Sequence, residues 1–165
     1  MSRTSASTAV INFIHDEKIV AFDPADFRFS PKDKEDLVEG LQNAVDQYSL
    51  TAYWLATMRK RKNDAERERD EYRAKLYHHL KVEGGYAEKY RGARPTEDGL
   101  NAAILDDKTY RQLSANYDRI GEIVDHLWGL QKTVERKYEA IKETCSLIRS
   151  NRHAEAREEH MAQNV

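Results

Sequence analysis

Cysteine, proline and glycine are scarce in this sequence of 165 residues, which has one cysteine, three prolines and seven glycines. A single cysteine, Cys145, excludes an intrachain disulfide and a zinc site built from several cysteines. No run of 18 apolar residues occurs, and the opening segment MSRTSASTAV lacks the apolar core of a signal peptide. We therefore expect a protein of a reducing cytoplasm without a transmembrane helix.

Catalytic motifs are also missing. Gly84-Gly85 follows a predicted helix instead of a strand, which does not fit a glycine-rich phosphate loop. His153-Ala154-Glu155 matches a zinc-deaminase fragment, but one cysteine cannot supply that site's remaining ligands. The neighbouring His78 and His79 point to different faces of a helix, and Cys145 falls in a predicted apolar seam. We expect no catalytic residue, no metal and no cofactor, and hence a protein that is not an enzyme.

Charge is abundant but unevenly distributed. Charged residues make up 34% of the chain and the net charge is −2, so the whole molecule is not an electrostatic binder of nucleic acid. The segment Met1–Val45 has 5 basic and 8 acidic residues, a net charge of −3. The segment Arg59–Arg94 has 12 basic and 7 acidic residues, a net charge of +5. Any polyanion site is therefore expected in the middle of the chain.

The N-terminal part, residues 1–31, is predicted to form an extended arm. The segments VINFI and KIVAF are rich in β-branched and aromatic residues, which fits a short hairpin or an extended arm. Phe27 and Phe29 alternate in a further segment that is expected to dock on an apolar surface. Ser30 is a typical helix N-cap, and Pro31 suits the first helical position.

Residues 32–160 are predicted to form one helical hairpin domain. A long helix over about 32–83 ends at Gly84-Gly85. Its seam follows steps of three and four residues, first through Leu37, Leu41, Ala44, Tyr48, Ala52, Leu55 and Met58, then through the more polar Lys62, Ala65, Arg69, Tyr72, Leu76 and His79.

A basic loop and a short helix are predicted over residues 84–106, with Thr96 as the helix N-cap. Asp106 or Asp107 can cap the last helix, over about 107–155. That helix has a heptad seam, formed by Tyr110, Leu113, Tyr117, Ile120, Val124, Leu127, Gln131, Val134, Tyr138, Ile141, Cys145, Ile148 and Arg152.

The expected fold is therefore all-α: a long antiparallel helical hairpin with a short intervening helix and a small extended N-terminal arm. Two helices cannot bury so broad a stripe alone, so we expect self-association through the C-terminal heptad helix. The predicted oligomerisation residues are Tyr117, Ile120, Val124, Leu127, Val134, Tyr138, Ile141 and Ile148.

The stretch MRKRKNDAERERDEYRAKLYHHLK, from Met58 to Lys81, has two interpretations. In one, it is a solvated helix whose charges pair with one another. In the other, its cations and the tyrosines beside them bind single-stranded nucleic acid, with cations on phosphates and rings on bases. The candidate DNA-binding residues are Arg59, Lys60, Arg61, Lys62, Arg67, Arg69, Arg73, Lys75, Tyr77, Lys89, Tyr90, Arg91 and Arg94.

At this point the chain resembles UvsY, a family of small recombination mediators of tailed bacteriophages, over roughly residues 37–156. The resemblance begins with the aromatic residues Tyr48, Tyr53 and Trp54 on an amphipathic helix. A lysine- and arginine-rich continuation and the segment RAKL at Arg73–Leu76 follow. A glycine-containing loop, the segment TEDGLNAAILDDKTY and a long final helix ending IRSNRHAEA complete it.

The resemblance implies a homo-oligomeric ring held by the C-terminal helices, which binds single-stranded DNA. Such mediators assist DNA recombination and repair by loading a RecA-class recombinase onto DNA coated by single-strand-binding protein, and they consume no nucleotide. It marks Arg73 and Lys75 as DNA-contacting residues. It also implies a phage protein in the cytoplasm of the bacterial host.

Two other hypotheses remain open. A helical-bundle adaptor or inhibitor would bind a protein and no DNA, using the heptad helix and the arm Phe22–Phe29. A metal or redox enzyme would require that His78, His79 or Cys145 be reactive.

Overall fold

The computed structural model describes residues 11–15, 18–22 and 34–163. Within these ranges the chain is mostly helical, with two short strands before four helices: β1 (Ile11–His15), β2 (Lys18–Phe22), α1 (Lys34–Val82), α2 (Gly85–Lys89), α3 (Glu97–Leu105) and α4 (Lys108–Gln163). The two long helices α1 and α4 pack together, and a small strand pair precedes them. The prediction of an all-α fold is confirmed.

Two helix boundaries differ from the sequence prediction. The last helix was expected to end near residue 155, but α4 continues to Gln163. The added segment is rich in alanine, glutamate and arginine, which have high helix propensity. The segment after Gly84-Gly85 was expected to be a loop, but it contains the short helix α2. Gly84 has a left-handed backbone (φ 84°), so it separates α2 from α1.

The two strands form an antiparallel pair in which Ile11 lies opposite Phe22 and His15 lies opposite Lys18. Phe13 and Phe22 are buried, and their ring centroids are 6.2 Å apart. The rings of Phe13 and Trp54 lie edge to face, with their centroids 5.3 Å apart. The hairpin interpretation of VINFI and KIVAF is thus confirmed, whereas Phe27, Phe29, Ser30 and Pro31 lie outside the described residues.

The chain divides into two compact units. Unit 1 comprises Met1–Trp54 and His126–Val165, and unit 2 comprises Leu55–Asp125. Both long helices contribute residues to both units, because α1 passes from one to the other at Trp54 and α4 at Asp125.

In unit 1, the described core consists of the hairpin phenylalanines together with side chains of α1 and α4. Its buried helical side chains are Leu37, Ala44, Thr51, Leu127, Leu130, Val134 and Ile141. The prediction that Tyr48 lies in the seam is wrong, since it is 42% exposed and Thr51 is fully buried. Thr51 tolerates burial because its Oγ1 donates to the carbonyl oxygens of Gln47 and Tyr48, at 2.9 and 3.0 Å.

In unit 2, α3 covers the end of α1. Leu80, Leu100, Ala103 and Ile104 form a buried cluster. Leu80 takes the buried position expected for His79, whose side chain is half exposed. The buried positions of α1 therefore drift away from a strict heptad, because a long α-helix has 3.6 and not 3.5 residues per turn.

Local hydrogen bonds fix the starts of α3 and α4, as predicted. The Thr96 hydroxyl accepts a hydrogen bond from the Gly99 backbone N–H at 3.1 Å. Asp107 Oδ1 accepts from the Tyr110 backbone N–H at 2.8 Å and from the Tyr72 hydroxyl at 3.0 Å. The Asp107 carboxylate therefore caps α4 and also holds α1 against its first turn.

Candidate nucleic-acid interface

All thirteen predicted DNA-binding residues lie in unit 2. Nine of them are on α1, between Arg59 and Tyr77. The other four are on the segment 89–94, which begins at the last residue of α2. Folding thus places the candidates in one compact unit. Their contacts separate the cations among them into a paired and an unpaired group.

The first group consists of cations that already have partners in the chain. Arg69 pairs with Asp70 at 2.9 Å, and its guanidinium carbon lies 4.5 Å from the centroid of the Tyr117 ring. The hydrogen bond to Asp70 raises the pKa of Arg69 above its usual value. Lys62 Nζ lies 5.3 Å from the same ring, and Arg67 pairs with Asp64 at 3.2 Å. For these residues the interpretation as charges satisfied within the helix pair holds.

Arg61 and Arg67 line a groove of about 740 Å³ between α1 and α4. Its other charged lining residues are Asp64, Glu68 and Glu71, so acids outnumber cations in it. Such a groove repels a phosphate backbone. The groove is therefore a poor candidate for binding phosphates, although two candidate residues border it.

The second group has no ion pair or side-chain hydrogen bond within the described ranges, and its members are exposed: Arg59, Lys60, Lys75, Arg91 and Arg94. Unsatisfied cations of this kind repel one another and attract anions. Among the thirteen candidates, they are the residues best suited to contact phosphates.

Arg73 and Lys75 do not share one face. Two residues along an α-helix correspond to a rotation of about 200°, so the two side chains leave α1 on opposite sides. Arg73 Nη2 lies 3.4 Å from Asn101 Oδ1 on α3, whereas Lys75 is exposed without a contact of that kind in the described chain. Arg59 lies on the Arg73 side, because fourteen residues return the helix to within about 40°.

The segment 85–94, which consists of α2 and the turn that follows it, concentrates aromatic and basic groups. The rings of Tyr86 and Tyr90 contact each other with centroids 4.6 Å apart, and Tyr90 remains 38% exposed. Lys89 lies over the Tyr90 ring at 5.4 Å and near Asp106 at 3.7 Å. The loop then turns through Arg91, a non-glycine residue with a left-handed backbone (φ 54°). An exposed ring with cations on both sides of it in sequence is suited to base stacking.

Tyr77 is less available than the sequence suggested. Its hydroxyl donates to the Glu97 carboxylate at 3.0 Å and accepts from Lys81 Nζ at 2.6 Å. Lys81 also pairs with Glu97 at 2.7 Å. These contacts raise the pKa of Lys81 and lower that of Glu97. Sequence reasoning missed Lys81 and Glu97 because they are sixteen residues apart and lie on different helices.

His78 and His79 meet one carboxylate. Although they are neighbours on α1, their Nδ1 atoms lie 3.2 and 2.9 Å from the two oxygens of Glu83. The hydrogen bonds from His79 and His78 lower the pKa of Glu83. In the described parts of the chain, no three histidine, cysteine, aspartate or glutamate side chains are grouped as metal ligands.

The predicted oligomerisation residues are divided by burial. Val124, Leu127, Val134 and Ile141 are buried within a single chain. Tyr117, Ile120, Tyr138 and Ile148 are half-buried. The most apolar part of the heptad seam is thus covered by the chain itself, and self-association through the seam stays a prediction.

Comparisons with protein-family models, curated proteins and solved structures found no match. The resemblance to the UvsY family therefore stays a prediction that depends on the motifs given above. Among the helices of the described ranges, none combines the length and apolar character that crossing a membrane requires.

Proposed function

We propose that this protein binds single-stranded DNA through unit 2 and acts as a recombination mediator. In this proposal it loads a RecA-class recombinase onto DNA coated by single-strand-binding protein, as a homo-oligomer in the cytoplasm of a phage-infected bacterium. The proposal of DNA binding depends on one observation: the unpaired cations Arg91 and Arg94 lie on the same loop as the exposed ring of Tyr90.

The unpaired cations support this assignment, whereas the net charge of unit 2 does not. Unit 2 contains 15 lysines and arginines against 14 aspartates and glutamates, a net charge of only +1. A phosphate backbone would therefore follow the unpaired cations and avoid the acidic groove. Each phosphate contact releases counterions, so the affinity falls steeply as salt rises. Several copies that hold one strand would multiply a modest affinity by avidity.

The mediator role depends on the family resemblance of residues 37–156. A mediator of this class hydrolyses no nucleotide, which agrees with the lack of a phosphate-binding loop in the sequence. Its test is the DNA-dependent ATPase activity of a RecA-class recombinase on strands coated by single-strand-binding protein. The lag before that activity should shorten when this protein is added, and an unchanged lag would contradict the role.

Fluorescence anisotropy of labelled oligo-dT at several salt concentrations tests DNA binding itself. Arg91→Gln/Arg94→Gln should weaken binding at least tenfold at low salt and reduce the salt slope by about 1.4, since one phosphate contact on a single strand contributes about 0.7. Lys108→Gln/Arg119→Gln is the matched control, because these cations are exposed in the same unit but outside the candidate set. Equal losses in both variants, or no binding by the wild type, would contradict the proposal.

Separate Arg73→Ala and Lys75→Ala variants locate the strand on α1. Because the two side chains leave the helix on opposite sides, a strand that follows one side should depend on one of them only. Equal dependence on both would contradict a single path along α1.

A helical adaptor that binds protein is the second candidate, and exposed apolar side chains favour it. Trp128, Tyr53 and Leu50 are each about half exposed in unit 1. This candidate predicts a complex that survives high salt and no retention of DNA at low salt.

A further inference from the structure

The Tyr90 ring, which is suited to base stacking, is held in place by the short helix α2. This helix has only five residues, Gly85–Lys89, and a helix of that length is not stable alone in water. Tyr90 follows it directly, and its backbone N–H donates to the Tyr86 carbonyl oxygen at 2.9 Å. The position of the Tyr90 ring therefore depends on the contacts that hold α2 against α1 and α3.

Tyr86 makes the central contact between α2 and α3. Its ring lies against Tyr90, with centroids 4.6 Å apart, and packs against the buried cluster of α1 and α3. Gly99 on α3 provides the space for its hydroxyl, because a Cβ at residue 99 would overlap Tyr86 Oη and lie 3.0 Å from Cζ. The same Cβ would lie 3.0 Å from Thr96 Oγ1. The Tyr86 ring can therefore keep its place only if residue 99 has no side chain.

Two further contacts lie at the ends of α2. At its start, His79 Nδ1 lies 2.9 Å from Glu83 Oε2, and a Cβ at the buried Gly85 would lie only 2.6 Å from His79 Nε2. The imidazole thus packs directly on the first residue of α2. At its end, Lys89 Nζ lies 3.7 Å from Asp106 Oδ2, and an exposed ion pair of this length contributes little. The start and the middle of α2 are therefore its fixed points.

We propose that Tyr86 is a positioning residue, which holds the Tyr90 ring in place for a base and needs Gly99 to do so. A ring that is fixed before binding loses less freedom when a base stacks on it, so the base binds more tightly. In the proposed function Arg91 and Arg94 contact phosphates, whereas Tyr86 acts on the base contact alone. This inference rests on the proposed DNA binding by unit 2, and it adds a contribution that does not depend on counterion release.

Fluorescence anisotropy with labelled oligo-dT and with an abasic strand of the same length tests the base contact. Tyr90→Ala should weaken binding of oligo-dT about tenfold, within the range for one stacked base, and Gly99→Ala should weaken it about threefold or more. Neither variant should change binding of the abasic strand or the salt slope, because the phosphate contacts remain. Gly99→Ala/Tyr86→Phe should return binding close to that of the wild type, since phenylalanine lacks the hydroxyl that the new Cβ overlaps.

Gly129→Ala is the matched control, because a Cβ at this helical glycine would meet no atom within 4 Å in the described chain. It should bind both strands as the wild type does. Tyr86→Leu keeps an apolar side chain on the buried cluster and should show the same base-dependent loss without any change at Gly99. Circular dichroism verifies that each variant remains helical.

The outcomes separate this inference from the proposed function. Equal losses on the two strands, a lower salt slope in Gly99→Ala, or no recovery in Gly99→Ala/Tyr86→Phe would each overturn the inference. Binding by the wild type that Tyr90→Ala leaves intact would overturn the inference alone. A wild type that binds neither strand would overturn the proposed function together with it.

Discussion

The two parts of α1 solve the same packing problem with different side chains. In unit 1, Leu37 and Ala44 supply an apolar seam, and apolar side chains beside it stay exposed. In unit 2, the seam includes Lys62 and Arg69, which are half-buried although their side chains end in a charged group. The difference teaches that a long helix needs only partly apolar contacts, since the stems of lysine and arginine also cover a neighbouring helix.

Aromatic partners make the polar seam of unit 2 possible. Two cations lie over the Tyr117 ring, and the Tyr72 hydroxyl donates to Asp107. Each polar group in these contacts has a partner, so its partial burial costs little. Unit 1 therefore keeps exposed apolar side chains, whereas unit 2 keeps exposed cations.

Truncating the core should have the largest effect and should test whether the units have separate cores. Ile141→Ala in unit 1 and Leu100→Ala in unit 2 should each lower the free energy of unfolding by about 2–5 kcal/mol, because both side chains are at most 2% exposed. Urea unfolding followed by circular dichroism measures the loss.

Leu147→Ala and Leu105→Ala are the matched controls, since both side chains are more than 60% exposed. They should change stability by less than about 0.5 kcal/mol. Hydrogen exchange sharpens the comparison: lost protection should concentrate in the unit that carries the substitution. A uniform loss across both units would contradict separate cores.

Two glycine substitutions should have effects of opposite sign. Gly84→Ala in unit 2 should destabilise the protein by about 1–2 kcal/mol, because its backbone is left-handed. Gly129→Ala in unit 1 should stabilise it by about 0.5–1 kcal/mol, because a Cβ there meets no atom within 4 Å inside a helix. Thermal unfolding measures both shifts, and shifts of the same sign would contradict the assignment of Gly84 as a helix terminator.

The smallest expected effect is a pH dependence in unit 2. The pKa of Glu97 is lowered by Lys81 and by the Tyr77 hydroxyl, so its contribution is present above the ordinary glutamate pKa and is lost as pH falls through the lowered value. The pKa of Lys81 is raised by Glu97, so its contribution is present below the ordinary lysine pKa and is lost only as pH rises through the raised value.

Melting temperatures measured from pH 7 downward, for the wild type and for Glu97→Gln, test this expectation. The wild type should lose more stability on acidification, and 1 M salt should reduce the difference because the pair is exposed to solvent. Parallel pH profiles at low salt would show that the pair does not contribute.

Local sequence signals predicted the elements better than the contacts. The cap at Thr96 and the strand pair were correctly predicted, because each depends on residues close in sequence. The placement of Tyr48 in the seam was wrong, and Thr51 was not predicted to be buried. Hydropathy ignores that a threonine hydroxyl can be satisfied by its own helix.

The candidate site shows the same limit. Sequence found the cations but could not tell which were paired. Arg69 lies on a ring 48 residues away, and Lys81 meets Glu97 across two helices. Such contacts depend on how helices are placed against each other, which periodicity along one helix does not encode.

One polar contact inside unit 1 has a consequence for how its helices align. Lys137 Nζ donates to Gln47 Oε1 at 3.0 Å across the α1–α4 pair, and partial burial lowers the pKa of Lys137. Leucine and valine seams tolerate a slide of one turn, because one apolar side chain can replace another. A slide of one turn would separate this partly buried ammonium group from its amide acceptor. The hydrogen bond therefore favours the observed register over others of similar apolar packing, as a lone polar residue does in a coiled coil.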